Sequence, residues 1–175
     1  MALPHTRGSS GHQYFHITPQ GELLVIHSGL DRETQALHTF LVSVTDNGRP
    51  RKTSSATISI TVTDVNDCKP RFVFPRKSNN TLFVPHRSKS GHIIGRILAI
   101  DNDAGANQQV TYSYRQSRSN LASTLFNLDP HSGEVRLERD LTPEDVRQYH
   151  LLVEARDAGL PVQTSIEVLK IKVRV

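Results

Sequence analysis

Phe40-Leu41-Val42-Ser43-Val44-Thr45-Asp46-Asn47-Gly48 reads as one half-buried strand running into a turn. Leu151-Leu152-Val153-Glu154-Ala155-Arg156-Asp157-Ala158-Gly159 reads the same way, 111 residues further on (157 − 46). In both stretches every second residue is apolar, and both end in an Asp with a Gly two residues later. Strict alternation with β-branched residues marks a strand with one face buried. Ile58, Ile60 and Val62 alternate with Thr57, Ser59 and Thr61 in the same manner. The echo continues outward: Phe15-His16-Ile17-Thr18-Pro19 matches Phe126-Asn127-Leu128-Asp129-Pro130, and Leu30-Asp31-Arg32-Glu33 matches Leu141-Thr142-Pro143-Glu144. A tandem repeat of ~110 residues is the size of a β-sandwich domain.

Asn47-Gly48-Arg49-Pro50, Ala158-Gly159-Leu160-Pro161 and His131-Ser132-Gly133 supply turns. The sequence offers one short helical turn, with Thr142 as cap and Pro143 at its first position. In the second half seven strands are predicted, near 82–85, 92–100, 109–115, 124–128, 134–138, 148–155 and 164–175. The first half holds counterparts of only the last four, starting near Tyr14. The expected fold is all-β, with tandem Greek-key sandwiches of which the first is truncated. Residues 1–13 are expected to be a disordered leader, 14–67 the C-terminal part of a truncated repeat, and 68–175 a complete one. A sheet with one face uncovered should be poorly stable by itself.

Composition excludes several functions. The 175 residues carry a net charge of +4 at a pI near 9.5, but the bases are scattered singly, which argues against nucleic acid. With Cys68 as the single cysteine there is no intrachain disulfide framework, so a secreted domain of this kind must rely on core, partners or metal. No run is long and apolar enough to span a bilayer. The start lacks a signal peptide's apolar stretch, so a signal is removed or the chain begins inside a larger protein. The nine histidines lack the helical pairing of zinc hydrolases, and no phosphate loop or serine elbow occurs. Cys68 stands among acids that raise a thiol's pKa, and it is expected to stay a reduced thiol. Neither an enzyme nor a small-molecule substrate is expected.

Oxygen ligands are abundant where the two halves meet. Asp64-Val65-Asn66-Asp67-Cys68-Lys69-Pro70 forms a stiff acidic linker, and further groups sit at Asp31-Arg32-Glu33, Asp101-Asn102-Asp103-Ala104-Gly105-Ala106-Asn107 and Asp157. Each motif alone could be a turn former. Four of them at one end of tandem β repeats suit a hard cation such as calcium, which needs 6–8 oxygen ligands.

These motifs, in this order, resemble the extracellular repeats of the cadherin superfamily, from about residue 14 to the end. The linker style is similar to that of protocadherins and of the very long Dachsous and Fat cadherins. The resemblance implies a rigid three-calcium (Ca2+) junction. The outermost ion would use Asp31, Glu33 and Asp67. The middle one would use Glu33, Asp64, Asp67, Asp103 and the Val65 carbonyl. The third would use Asn66, Asp101, Asp103, Asp157 and the carbonyls of Cys68 and Asn107. Asp46 corresponds to Asp157. The family's early Glu is missing from the first repeat, so the third site should be the most nearly intact. His86 stands where a Glu is usual and Thr142 where an Asp is usual, so the far end of the second repeat is expected to bind calcium poorly.

The function implied is calcium-dependent cell–cell adhesion with other cadherin ectodomains, homophilic or heterophilic. It would act outside the plasma membrane, which the parent protein reaches through a transmembrane segment absent here. A calcium-independent, fibronectin-like binding module is the alternative, and calcium dependence separates the two. Asn79-Asn80-Thr81 is a glycosylation sequon at Asn79, as an exposed extracellular loop would carry.

Overall fold

The computed structural model describes residues 4–7, 13–115 and 124–175. The chain divides into two compact units, Met1–Asp64 and Val65–Val175, three residues before the boundary expected from the linker motif.

The second unit is a two-sheet sandwich. Its strands are β6 (Arg71–Phe74), β7 (Thr81–Pro85), β8 (Ile93–Arg96), β9 (Leu98–Ile100), β10 (Thr111–Tyr114), β11 (Phe126–Leu128), β12 (Glu134–Leu137), β13 (Gln148–Arg156) and β14 (Thr164–Arg174). One sheet has the order β10-β13-β14-β7, with β7 parallel to β14 and the other pairs antiparallel. The opposing layer is built from β11-β12-β8 and β6-β9. The predicted strand at 92–100 is thus broken at Ile97, whose N–H leaves the ladder and donates to Gly133 O at 2.8 Å. β6 was not anticipated at all. The alternation read in the sequence holds in β13, where Tyr149, Leu151, Val153 and Ala155 point into one core with Leu169, Ile171 and Val173 of β14. Phe126, Val135, Leu137, Ile97 and Phe72 close that core from the other layer. A buried hydrogen bond ties the layers: Ala99 N–H donates to Tyr112 Oη at 2.9 Å.

The first unit holds β1 (Pro4–Arg7), β2 (Phe15–Ile17), β3 (Leu23–Val25), β4 (Leu37–Thr45) and β5 (Thr53–Thr61). β4 and β5 form a long hairpin, β1 pairs antiparallel with the other edge of β4, and β2-β3 form a separate small hairpin. β1 lies within the segment 1–13 set aside as a disordered leader, so for residues 4–7 that expectation gives way to a paired strand. Residues 1–3 and 8–12 lie outside the described residues. The buried apolar centre of this unit is small: Phe15 stacks on Phe40, with His38 edge-on to both Phe15 and Tyr14. Among the described residues, helical structure is confined to the turn Pro143–Asp145 of the second unit, capped at Thr142 as predicted.

Candidate metal centre

At one end of the second unit, three segments converge: the start of the unit (65–68), the loop after β9 (101–107) and the turn between β13 and β14 (157–163). Asp157 is 3% exposed and is fixed by the backbone, since Gly159 N–H donates to Oδ1 at 3.1 Å and Gln163 N–H to Oδ1 at 3.0 Å. Asn66, 5% exposed, donates from Nδ2 to Asp157 Oδ2 at 3.0 Å and to Pro161 O at 2.6 Å. That orientation commits the amide nitrogen to the protein and leaves its oxygen over. Asp101 Oδ1 accepts the Asp103 N–H at 3.0 Å, and Asp103 Oδ1 accepts the Cys68 N–H at 3.4 Å.

What remains is a set of unsatisfied oxygens. Asn66 Oδ1, Asp101 Oδ2 and Asp103 Oδ2 are buried and have no hydrogen-bond partner among the described residues. An unpaired buried polar atom costs about 1–3 kcal/mol, more if it is charged. Burial pushes the Asp101 carboxyl above its ordinary range, and the charges of Asp103 and Asp157 push the same way. Carboxylates and an amide oxygen, whose second lone-pair atoms are left over, make an acceptor set that suits a hard cation.

Gly159 shows how tightly this end is packed. A Cβ built there would stand 2.3 Å from Asn66 Cγ and 2.6 Å from Asn107 Oδ1. The repeated Asp-x-Gly was legible as an echo, but the reason for its Gly is this close approach of two amide side chains. Gln163 was likewise missed as the residue that holds Asp157, because it bonds through its backbone and its side-chain type gives no signal. Asp67 is exposed at the rim, and one of its carboxylate oxygens, one of Asp103's and Cys68 Sγ all lie within 4.8 Å of one another. The Val65 carbonyl accepts the Asp67 N–H at 2.8 Å in a tight turn.

Asp31, Glu33 and Asp64 belong to the first unit. Asp31 organises its own loop: its carboxylate accepts the Glu33 N–H at 3.1 Å and the Thr34 hydroxyl, and that hydroxyl is the main cause holding its pKa below the usual value. Arg32 bridges the other two, with Nη2 2.5 Å from Glu33 Oε1 and Nε 2.5 Å from Asp64 Oδ1. Asp46 repeats the bonding of Asp157: it accepts the Gly48 N–H at 3.0 Å and the Lys52 N–H at 2.8 Å, and these bonds lower its pKa.

At the opposite end of the second unit the chemistry differs. Thr142, in the place of Asp31, donates its hydroxyl to Asp145 Oδ2 at 2.9 Å, and Arg139 clamps Asp145 with two bonds of 2.8 Å. The His86 N–H donates to Arg174 O at 2.7 Å. Asn79 is exposed, in a turn closed by reciprocal backbone bonds with Arg76.

Comparison with known proteins agrees with this architecture. A family model described as the cadherin domain matches residues 4–63 and 80–174. Protocadherin-11 X-linked of Sus scrofa is 35% identical over 147 residues, which is 84% of this chain and 13% of that protein. The solved structure of the protocadherin gamma-B4 extracellular domain superposes with a TM-score of 0.86 at 28% identity, over 98% of this chain and 27% of that one. The protocadherin gamma-B7 cis-dimer structure gives 0.83 at 28% identity, over 99% and 40%. The chain therefore spans a small part of the relatives it matches.

Proposed function

The chain belongs to the cadherin domain family, a family of adhesion modules rather than enzymes, and from that membership we propose that it is a calcium-dependent cell–cell adhesion module. The observation that carries the calcium reading is the trio of buried, partnerless oxygens on Asn66, Asp101 and Asp103, beside the backbone-anchored Asp157. They are the side chains that the family resemblance assigns to the third ion.

Calcium, when bound, supplies the positive charge that cancels carboxylate repulsion and accepts the lone pairs the protein leaves over. The residues do the rest. The Gly159 and Gln163 N–H groups fix Asp157, Asp157 turns the Asn66 amide so that its oxygen faces inward, and the Cys68 N–H orients Asp103. With the backbone carbonyls of Cys68 and Asn107 as further ligands, this end of the second unit is held in one geometry. Asp31, Glu33, Asp64, the Val65 carbonyl and Asp67 carry the other two ions in this reading, which rests for them on the sequence resemblance. Stiffening the passage between repeats lets an extended ectodomain present a distant tip to its partner.

The first unit is read as the C-terminal part of a repeat and the second as a whole one, in an extracellular chain whose partners are other cadherin ectodomains. The gamma-B7 relative forms a cis-dimer. Asn79 is proposed as a glycan acceptor, since it is exposed and lies outside the core. Thermal melts in millimolar calcium against excess chelator test the proposal. Ions that bind only the folded state raise the melting temperature. The wild-type chain is expected to gain several degrees and Asp103→Ala to lose most of that gain. An equal melting temperature in calcium and chelator for the wild-type chain overturns the reading.

A further inference from the structure

The outer face of the sheet β10-β13-β14-β7 carries a charge pattern that calcium binding does not use. Along β14, Lys170, Lys172 and Arg174 alternate with the buried Leu169, Ile171 and Val173, so all three cations stand on the solvent side. Alternate residues of a strand are about 7 Å apart, which makes a straight row of three positive charges. The register widens the row into a patch. Lys170 lies opposite His150 of β13, and Lys172 opposite Phe83 of β7. Arg115, also exposed, joins at the other edge, where its N–H donates to Leu152 O at 2.9 Å. Arg174 Cζ lies over the half-exposed Phe83 ring, 3.7 Å from its centroid, a cation–π contact that keeps the guanidinium on this face.

Among the described residues, the outward strand positions in this half of the face carry no carboxylate. Glu154 is the carboxylate that β13 turns outward, and it pairs in register with Ile166, two outward positions above Lys170. Among the described residues, the ion pairs involve Arg32, Lys89, Arg136 and Arg139, and none involves Lys170, Lys172, Arg174 or Arg115. Four like charges held together on a rigid sheet repel one another, a cost that an external polyanion removes.

We propose that this face binds a linear sulfated polysaccharide lying along β14, with Lys170, Lys172 and Arg174 as its row of contacts and Arg115 as a flanking one. An evenly spaced row along one strand suits an extended chain with repeating anionic groups. The assignment rests on the extracellular placement proposed above but not on calcium, so the melts and the binding assay fail independently.

Retention and affinity on immobilised heparin, with the calcium concentration held constant, test it. The wild-type chain is expected to bind with strong salt dependence and to ignore fully desulfated heparin. The variant Lys170→Gln/Lys172→Gln/Arg174→Gln should lose at least tenfold in affinity, with the slope of log affinity against log salt reduced by about two. A control variant, Arg49→Gln/Arg51→Gln/Lys52→Gln, removes equal charge from an exposed turn of the first unit and should retain most of the binding. Circular dichroism checks that both variants fold, and the single Lys172→Gln change gives an intermediate loss should the triple variant unfold. Equal losses in both triple variants, no wild-type retention, or full competition by poly-glutamate would each overturn the proposal, the last pointing to an acidic protein surface instead.

Discussion

The hairpins β4-β5 and β13-β14 are the same piece of sequence design in two settings. Phe40 and Leu151 occupy equivalent positions and are both buried. Four residues later the settings part: Val44 is 48% exposed, whereas Ala155 is fully buried. Across the hairpins, Leu169 and Ile171 are fully buried while their counterparts Ile58 and Ile60 are only half-buried. The alternation is equally good in both. What differs is the opposing layer, which in the second unit is β6, β8, β9, β11 and β12, and in the first, among the described residues, β2-β3 alone. Patterning fixes which face turns inward, and the strands on the other side decide whether burial follows. In the first unit Leu23, Leu24, Val25 and Ile26 stay exposed for the same reason.

A matched pair of truncations separates the two hairpins most strongly. Leu169→Ala should destabilise the second unit by about 2–5 kcal/mol, as large-to-small changes in a closed core do. Ile58→Ala, its counterpart, should cost about 1 kcal/mol because less area leaves water. Urea-dependent hydrogen exchange, resolved by unit, reads both, and equal losses would mean the first unit is covered after all.

The glycines give the next contrast. Gly159→Ala drives a methyl into the Asn66 and Asn107 amides and should abolish most of the calcium-induced rise in melting temperature. At the equivalent Gly48 a Cβ would stand 3.2 Å from Asp46 Oδ1 and 3.3 Å from Pro50 O, a contact that small shifts relieve. Gly48→Ala should therefore leave the calcium response of the chain unchanged.

A third contrast concerns pH. Arg139, helped by Thr142, holds the Asp145 carboxyl well below the usual carboxylate range, while its counterpart in the first unit is the uncharged Thr34. A depressed carboxylate gives stability that is present above its unfolded pKa, about 3.9, and is lost as pH falls below it. The second unit should thus lose stability on acidification through that range, and Asp145→Asn should flatten the slope in a pH series of melts. The smallest effects are opposite in sign. Tyr149 Oη donates to Asp145 O at 3.2 Å, whereas His38, the residue at the same repeat position, is buried with both ring nitrogens partnerless among the described residues. Tyr149→Phe should cost about 1 kcal/mol, and His38→Phe should stabilise the first unit by a similar amount.

Much of this was legible in the sequence, because the repeat, the alternation and the turn residues are local signals. The four strands β2 to β5 stand where the echo puts them, and Thr142 caps its turn. Other features depend on partners that no local pattern names. β6 is four residues between Pro70 and Pro75 and reads as linker, yet pairing with β9 makes it a strand. β1 begins at a proline and is a strand because the edge of β4 accepts it. The break at Ile97 follows from the Gly133 carbonyl reaching across, which alternation cannot show. For the candidate site, residue types and spacing draw attention to Asn66, Asp101, Asp103 and Asp157 along with the other acidic motifs. The amide orientation that leaves Asn66 Oδ1 over, and the guanidinium of Arg32 bridging Glu33 and Asp64, exist only in three dimensions.

A calcium titration followed by backbone amide chemical shifts tests, residue by residue, the proposal that the partnerless oxygens of the second unit hold calcium. Saturable changes should centre on Asn66, Cys68, Asp101, Asp103, Asn107, Asp157 and Gly159, with the Asp129 and Asp140 loops unmoved. Changes spread evenly over exposed carboxylates, or none at Asn66 and Asp103 at millimolar calcium, would contradict it.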